Sequence, residues 1–296
     1  KTLSEGEERE IGPFFSVSKS GAIAHVKDKR SGVYHSIMWP TVAHDQIRFD
    51  LEQRIYNPDL IWQSQSNTCG MASFFHALAE DDPYLYAYYV CSMYLRGSAY
   101  LGYGKDAPIV SASKLTRSSK VPPMSSVDWI ALASLRDYLN NFLDYNFDAG
   151  IPGLKDIPLL GFLGSPKLIE AVGGITWPTD LANILLAVGY QVRMTAAINR
   201  VATLKDLYDA NSLFKNGYRI FLLIHTCLAK EDPSAVTTVP EHWVHMVDLF
   251  DINASGVRAT VFDPAWGQRV YLPNSGKQIP IKNFCNNLFG YVAGRR

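Results

Sequence analysis

The chain has 296 residues, enough for one large domain or two small ones, and its 47% hydrophobic and 19% charged residues are typical of a soluble globular protein. Its 28 Lys and Arg balance 28 Asp and Glu, so the formal net charge is zero. This balance argues against binding nucleic acid or an anionic membrane through bulk charge. No apolar run approaches the roughly 18 residues of a membrane span. We therefore predict no nucleic-acid partner and no membrane-spanning segment.

The first 60 residues carry weak structural signals. Residues 1–20 are polar and charged, which predicts a mobile arm. Loose alternation of β-branched and aromatic residues from Gly21 to Trp39 predicts one or two strands, and the mixed segment 41–62 predicts no particular element. We treat residues 1–60 as an N-terminal extension of unknown role and 61–296 as the main domain.

Helices dominate the next part of the chain. A helix is predicted to start at Thr68 or Cys69 and to run to about Glu80, with Asn67 or Thr68 as its N-cap. Asp81-Asp82-Pro83 ends this helix and begins a second one, whose residues 84–95 are almost wholly apolar or aromatic and predict deep burial. After these two helices, residues 97–125 predict a long loop and residues 126–143 a third helix. Residues 147–166 form another stretch rich in Gly and Pro.

The second half predicts a mainly antiparallel sheet interrupted by short helices. Predicted helices cover 178–188, 204–214 and 281–288. Predicted strands cover 191–198, 219–226, 243–252, 257–262 and 268–272. A helical first lobe followed by a sheet lobe indicates the α+β class.

The strongest chemical signal is a cysteine at the start of a helix. Cys69 would lie in the positive end of the helix dipole, where free backbone N–H groups stabilise a thiolate. Gly70 next to it would allow a substrate backbone to approach closely. Gln63, six residues upstream, could place an amide donor beside a developing oxyanion, together with the N–H of Cys69. Gln65 is an alternative for that donor.

A second signal lies far along the chain, where a thiolate would find its base. An imidazole partner needs an acceptor that orients its other ring nitrogen. His242 begins one predicted strand and Asp263 ends the strand that follows, with Asn253-Ala254-Ser255-Gly256 as a turn between them. The two side chains are therefore expected to lie side by side. Asp248 and Asp251 are weaker candidates for the orienting group.

Taken together, these motifs resemble those of papain-like cysteine peptidases, and most closely the bacteriocin-processing branch and its toxin-associated relatives. The matching pattern is Gln63-x5-Cys69-Gly70, then His242-Trp243-Val244, then Asp263-Pro264-Ala265-Trp266-Gly267. The helix at 178–188 and the apolar strand Ile220 to Ile224 are also similar to that branch. The resemblance covers about residues 61–290. It implies a papain-like fold in which a helical lobe carries the nucleophile and an antiparallel sheet lobe carries its partners.

The resemblance also implies roles. Cys69 would be the nucleophile, His242 the base, Asp263 its orienting group and Gln63 the oxyanion donor, with no cofactor. The expected activity is cleavage of a protein or peptide substrate, in the manner of a secreted bacterial effector or toxin. Deamidation of a protein Gln or Asn, or cell-wall amidase action, would use the same groups. From another class, the chain could be an inactive papain-fold binding module.

Other histidines and cysteines have plainer interpretations. His245 would face the opposite side of its strand from His242 and be a satisfied structural histidine. His76 lies roughly 10 Å along the helix from Cys69 and is interpreted as packing. A zinc site built from His225, Cys227 and the two strand histidines matches no strong zinc motif, so no metal is predicted. Cys91 and Cys285 are interpreted as buried apolar residues, and two disulfides are not expected.

Overall fold

The computed structural model describes residues 18–28, 36–104, 106–139, 176–229 and 240–296. Within these ranges the molecule is a mixed α+β structure, with a helical N-terminal region followed by a seven-stranded antiparallel sheet. The α+β class predicted from the order of elements is therefore confirmed. Across the same ranges, none of the helices combines the length and the apolar character that crossing a membrane requires.

The elements are numbered in chain order. The helices are α1 (Lys19–Asp28), α2 (His44–Tyr56), α3 (Cys69–Asp81), α4 (Pro83–Arg96), α5 (Lys114–Ser118), α6 (Ser126–Leu139), α7 (Pro178–Ala187), α8 (Leu204–Lys215) and α9 (Ile281–Asn286). The strands are β1 (Ser98–Tyr100), β2 (Ile109–Ser111), β3 (Gln191–Met194), β4 (Arg219–Ile224), β5 (His242–Met246), β6 (Asp251–Asn253), β7 (Gly256–Asp263), β8 (Gln268–Leu272) and β9 (Leu288–Arg295). Short 3-10 turns cover Pro58–Leu60 and Thr226–Ala229.

The large sheet separates two apolar cores. Its spatial order is β3-β9-β4-β5-β7-β6, and β8 pairs with the outer side of β7. Along β4, Phe221 and Leu223 belong to the core shared with the helical region, whereas Ile220, Leu222 and Ile224 belong to the core formed with α8 and α9. Because both faces of β4 are covered, its sequence is an uninterrupted apolar run rather than an alternating one.

Helix α3 connects the helical region to the sheet. It begins at Cys69, as predicted, and its residues from 69 to 79 are buried. The break at Asp81-Asp82-Pro83 is also confirmed, because the Asp82 side chain accepts a hydrogen bond from the Leu85 N–H at 2.9 Å and Pro83 occupies the first turn of α4. The predicted cap is different: Thr68 occupies the N-cap position of α3, but its side chain bonds Ser66 Oγ at 2.6 Å instead of capping.

The prediction for the N-terminal segment is wrong where the structure describes it. Where strands were expected from Gly21 onwards, the structure has helix α1, which ends at Asp28, and residues 29–35 lie outside the described residues. Its Ala22, Ile23 and Val26 are buried in the helical core, a spacing of one to four residues that suits a helix face better than an alternating strand. Most of the predicted mobile arm, residues 1–17, lies outside the described residues.

Three further elements differ from the sequence prediction. The expected loop over 97–125 contains the hairpin β1–β2 and the short helix α5. The expected strand 243–252 is divided into β5 and β6. Strand β9 was not predicted, although it pairs with both β3 and β4 in the middle of the sheet. The predicted Gly- and Pro-rich stretch at 147–166 lies outside the described residues.

Helix α2, within the predicted N-terminal extension, is held to the helical region by a buried ion pair. Arg54 donates two hydrogen bonds of 2.7 Å to the Asp128 carboxylate on α6. The same carboxylate accepts the Trp62 N–H at 3.2 Å, which anchors the chain just before Gln63. A domain boundary at residue 60 stays a prediction, but these contacts attach α2 directly to the helices that support the Cys69 region.

Candidate active site

Cys69 occupies the first position of helix α3, where the chain leaves an irregular loop. The first N–H groups of a helix have no acceptor within the helix and carry its positive dipole end. The cysteine is 5% exposed and sits in the helical core. The His242 imidazole and the Trp243 backbone, both on β5, lower the pKa of its thiol. The helix and the sheet therefore meet at this sulfur.

His242 and Asp263 lie on neighbouring strands. Strand β5 pairs with β7 so that His245 faces Phe262, which brings the end of β7 to the start of β5. His242 Nε2 lies 2.8 Å from Asp263 Oδ1, and both residues are buried. The turn expected at 253–256 joins β6 to β7 in the structure. The juxtaposition of His242 with Asp263, expected from the strand pattern, is found in the structure, while their chemical roles stay a prediction.

The pKa values of Cys69 and His242 are shifted in opposite directions. Burial raises the pKa of the Cys69 thiol, but the hydrogen bond to His242, the charge of that imidazole and the Trp243 N–H together lower the pKa below its usual value. For His242, burial lowers the pKa, but hydrogen bonds to Asp263 and Cys69 outweigh burial and raise the pKa to about 10. Both directions favour a thiolate beside an imidazolium.

Gln63 is held by its backbone against the loop that carries Asp263. Its N–H donates to the Pro264 carbonyl at 3.0 Å, and its own carbonyl accepts from the Ser66 hydroxyl at 2.6 Å. The Gln63 side chain is buried, and its Oε1 has no hydrogen-bond partner among the described residues. The unused capacity is that of an acceptor, so the donor role expected of the Gln63 side-chain amide stays a prediction.

The loop after Asp263 is shaped to fit the loop that carries Gln63. Asp263 Oδ1 also accepts the Ala265 N–H at 2.9 Å, and the Trp62 indole N–H donates to the Ala265 carbonyl at 2.9 Å. Gly267 has a φ of +59°, and a Cβ there would meet the Trp62 Cβ at 3.1 Å. The Asp-Pro-Ala-Trp-Gly motif therefore fixes two loops together as well as supplying the Asp263 carboxylate.

Gly70 has a different neighbour from the one expected. The sequence suggested that a glycine after Cys69 leaves room for a substrate backbone, but a Cβ at Gly70 would lie 2.5 Å from Thr176 Oγ1. The space is therefore occupied by the chain itself. The carbonyl of Thr176 in turn accepts the Trp243 indole N–H at 2.8 Å, so Gly70 allows close packing between α3 and the segment before α7.

An open cleft of about 670 Å³ borders His242, Asp263 and Gln63. The remaining lining residues are Thr226, Ala229, Glu241, Ala265, Trp266 and Asn274. The alternative amide, Gln65, is exposed and does not line this cleft. The alternative carboxylates are engaged elsewhere: Asp248 accepts the Leu249 N–H, and Asp251 pairs with Arg258.

Several contributors to the site were missed at the sequence level. The Trp243 backbone and the buried guanidinium of Arg136 on α6 both lower the pKa of the Cys69 thiol. Trp243 lies within the motif that identifies His242, but the motif does not predict that the Trp243 backbone affects the thiol. Arg136 lies in an apolar helix far from both motifs, and its position offers no local signal.

A second cluster of titratable groups lies farther along the same helix and strand. His76 Nδ1 and His245 Nδ1 are 2.8 Å apart, and His76 Nε2 lies 2.8 Å from Asp59 Oδ1. The His76 ring stacks on Phe262 with 3.8 Å between centroids, so the interpretation of His76 as packing omitted its two polar contacts. The expectation that His245 is satisfied is wrong for one nitrogen, because its buried Nε2 has no partner among the described residues.

His76, His245 and Glu80 together have the donor types of a metal site, with ligand atoms within 4.8 Å of one another. However, the two Glu80 oxygens already face Arg219 Nη1 at 2.5 Å and Arg269 Nη2 at 3.2 Å. A divalent ion would have to displace two guanidinium groups or lie beside them, which is unfavourable. We interpret the cluster as a polar network that joins α3 to the sheet.

The zinc alternative considered from the sequence does not form among the described residues. His242 is committed to Asp263, and His225 Nδ1 accepts the Cys227 N–H at 3.0 Å. Among the residues of this zinc alternative, only His245 belongs to the group whose ligand atoms lie within 4.8 Å of one another. All four cysteines are free thiols, as expected for a domain of this size.

No family model, curated protein or solved structure matches the chain. The resemblance to papain-like peptidases therefore rests on the motifs of this sequence and on the arrangement of side chains described above.

Proposed function

We propose that the chain is a cysteine-dependent hydrolase of papain-like fold that cleaves peptide bonds in a protein or peptide substrate. The observation that carries the proposal is the contact between His242 and Asp263 in the wall of an open cleft, together with opposite pKa shifts of the His242 imidazole and the buried Cys69 thiol. Thiol-dependent acyl transfer needs a nucleophile, a base and a carboxylate that orients the base, and these residue types match those three components.

The proposed reaction begins with the thiolate. The Cys69 sulfur attacks the carbonyl carbon of the scissile amide, and the carbonyl electron pair moves onto oxygen. The Cys69 N–H and the Gln63 side-chain amide donate hydrogen bonds to that oxyanion. The His242 imidazolium gives its proton to the leaving nitrogen as the C–N bond breaks. His242 then removes a proton from water as the water attacks the thioester carbonyl. The C–S bond breaks, which releases the acid and restores the Cys69 thiolate beside the His242 imidazolium.

Asp263 acts on His242 alone in this scheme. Its carboxylate binds Nε2, which leaves Nδ1 for the sulfur and the substrate nitrogen. The same contact raises the pKa of the imidazole, so the proton needed by the leaving group is retained. The charge of Asp263 thus favours the imidazolium form that donates the proton.

The test is loss of turnover when the sulfur is removed. We expect Cys69→Ala to lower cleavage of an unfolded test protein by at least about 10³-fold, because the nucleophile is lost. Fragments are counted by mass spectrometry, and thermal unfolding checks that the variant is folded. Cys91→Ala, another buried cysteine, is the matched control and should retain turnover. Unchanged cleavage by Cys69→Ala contradicts the proposal.

The same experiment separates neighbouring activities. Deamidation would give a small mass gain of the intact substrate without scission. For an inactive module, no substrate would change, and iodoacetamide at mildly acidic pH would modify Cys69 no faster than the other cysteines. A thiolate at Cys69 should react much faster than Cys285, whose pKa burial raises to about 11, and faster than the more exposed Cys227.

A further inference from the structure

One wall of the cleft carries an acidic group that the proposed reaction does not use. Among the lining residues that the structure describes, the carboxylates are Glu241 and Asp263, and none is a lysine or an arginine. Asp263 is occupied by His242 and by the Ala265 N–H. Glu241 directly precedes His242 in the chain. The charge available to a bound molecule on this wall is therefore that of Glu241.

The Glu241 carboxylate is positioned but retains hydrogen-bonding capacity. Its backbone N–H donates to the Ile224 carbonyl at 3.0 Å, which extends the β4–β5 ladder by one residue. The Thr226 hydroxyl donates to Oε2 at 2.6 Å, whereas Oε1 lies 3.5 Å from His225 Nε2. The side chain is 36% exposed. One carboxylate oxygen is thus oriented by Thr226, and the other is open to a stronger partner.

An aromatic surface lies on the same cleft. The Trp266 side chain lines it and is 62% exposed, an unusual position for the largest apolar side chain. An exposed indole beside a carboxylate suits a long cationic side chain, whose methylene stem packs on the ring while its charged end reaches the acid. An anionic side chain would be repelled by Glu241, and a neutral one would desolvate the carboxylate without pairing it.

We propose that Glu241 and Trp266 select a substrate with a lysine or arginine side chain near the scissile bond. This inference rests on the proposed function, since it names the substrate class of the same cleft. Selection arises from a charge-assisted hydrogen bond between the cationic group and Glu241 Oε1. The preferred substrate is therefore a basic segment of a protein.

The test uses short peptide acyloxymethyl ketones, which alkylate a catalytic thiolate. The peptides carry Lys, norleucine or Glu at one position in an alanine background, with the position varied. Rates of Cys69 labelling are measured by intact mass at one fixed, mildly alkaline pH for all probes. At the best position we expect Lys to label about 10-fold faster than norleucine, and Glu to be slowest.

Variants then assign the preference to Glu241. In Glu241→Gln the ratio of Lys to norleucine labelling should fall to near one, and Glu241→Lys should favour the Glu probe. Glu52→Gln, on the surface of α2 outside the cleft, is the matched control and should retain the parent ratio. Equal labelling by Lys and Glu probes, or a Lys preference that survives Glu241→Gln, overturns the inference while leaving the proposed function intact. No labelling of Cys69 by any probe overturns both.

Discussion

Two histidines on strand β5 form two contrasting sites with the same helix. His242 meets Cys69 at the first residue of α3, and His245 meets His76 seven residues farther along that helix. Both imidazoles are buried. The pKa of His242 is raised to about 10, whereas the pKa of His245 is lowered well below its usual value.

The difference comes from the neighbours rather than from burial. Burial lowers the pKa of both imidazoles. At His242 the carboxylate of Asp263 and the thiol of Cys69 reverse that effect. At His245 the charges of His76, Arg219 and Arg269 add to it. The surroundings of His242 therefore favour the protonated imidazolium, whereas the surroundings of His245 favour the neutral imidazole.

The largest expected effect separates the two histidines by function. We expect His242→Ala to lower turnover by about 10³- to 10⁴-fold, because the proton donor to the leaving group is lost. His245→Ala should instead lower the free energy of unfolding by about 1–3 kcal/mol, because it removes the ring contact with Phe221 and leaves His76 Nδ1 without its partner. Turnover of the folded protein should be retained.

Turnover and urea unfolding of both variants, measured under one set of conditions, check this contrast. A comparable loss of turnover in both variants would mean that the polar cluster around His76 takes part in the reaction. The assignment of a catalytic role to His242 and a structural role to His245 would then be wrong.

A smaller effect is expected at the oxyanion. Gln63→Ala should lower kcat by about 10²- to 10³-fold, because one preorganised donor to the oxyanion is removed. Gln65→Ala, two residues away and exposed, is the matched control and should match the parent. Steady-state kinetics with one peptide substrate give the comparison. If Gln65→Ala were the more damaging variant, the donor would have been assigned to the wrong amide.

The smallest effect concerns acid stability. The pKa of His245 is lower in the folded protein than in the unfolded chain, where it is about 6.5. The neutral imidazole therefore contributes to the free energy of unfolding above a pH of about 6.5, and this contribution is lost as the pH falls from about 6.5 toward the folded pKa. The slope contributed is about 1.4 kcal/mol per pH unit for one proton. In His245→Asn this part of the slope should disappear, whereas the partly exposed control His44→Asn should retain it.

Urea unfolding at a series of mildly acidic pH values measures this slope. A slope that is the same in the parent and in His245→Asn would show that the imidazole titrates alike in the folded and unfolded chains.

The sequence by itself determined the elements whose cause is local. The break at Asp82-Pro83 follows from the Asp82 side-chain cap and from the fixed geometry of proline. The start of α3 at Cys69 was also predicted locally, although the Thr68 side chain makes no capping hydrogen bond. The class, the strand of His242 and the strand of Asp263 follow from apolar patterns and from their order along the chain. These features depend on a few neighbouring residues, and so they can be predicted without knowing what covers them.

The tertiary structure alone decided what depends on distant neighbours. Helix α1 forms where alternation suggested strands, because its apolar residues meet α4, and β9 is recognised as a central strand only once β3 and β4 flank it. The opposite pKa shifts of His242 and His245 also came only from the tertiary structure, because the two residues lie three positions apart and the shifts depend on charges that other elements bring to them. Electrostatic energies depend on distance in space, and distance along the chain does not report it.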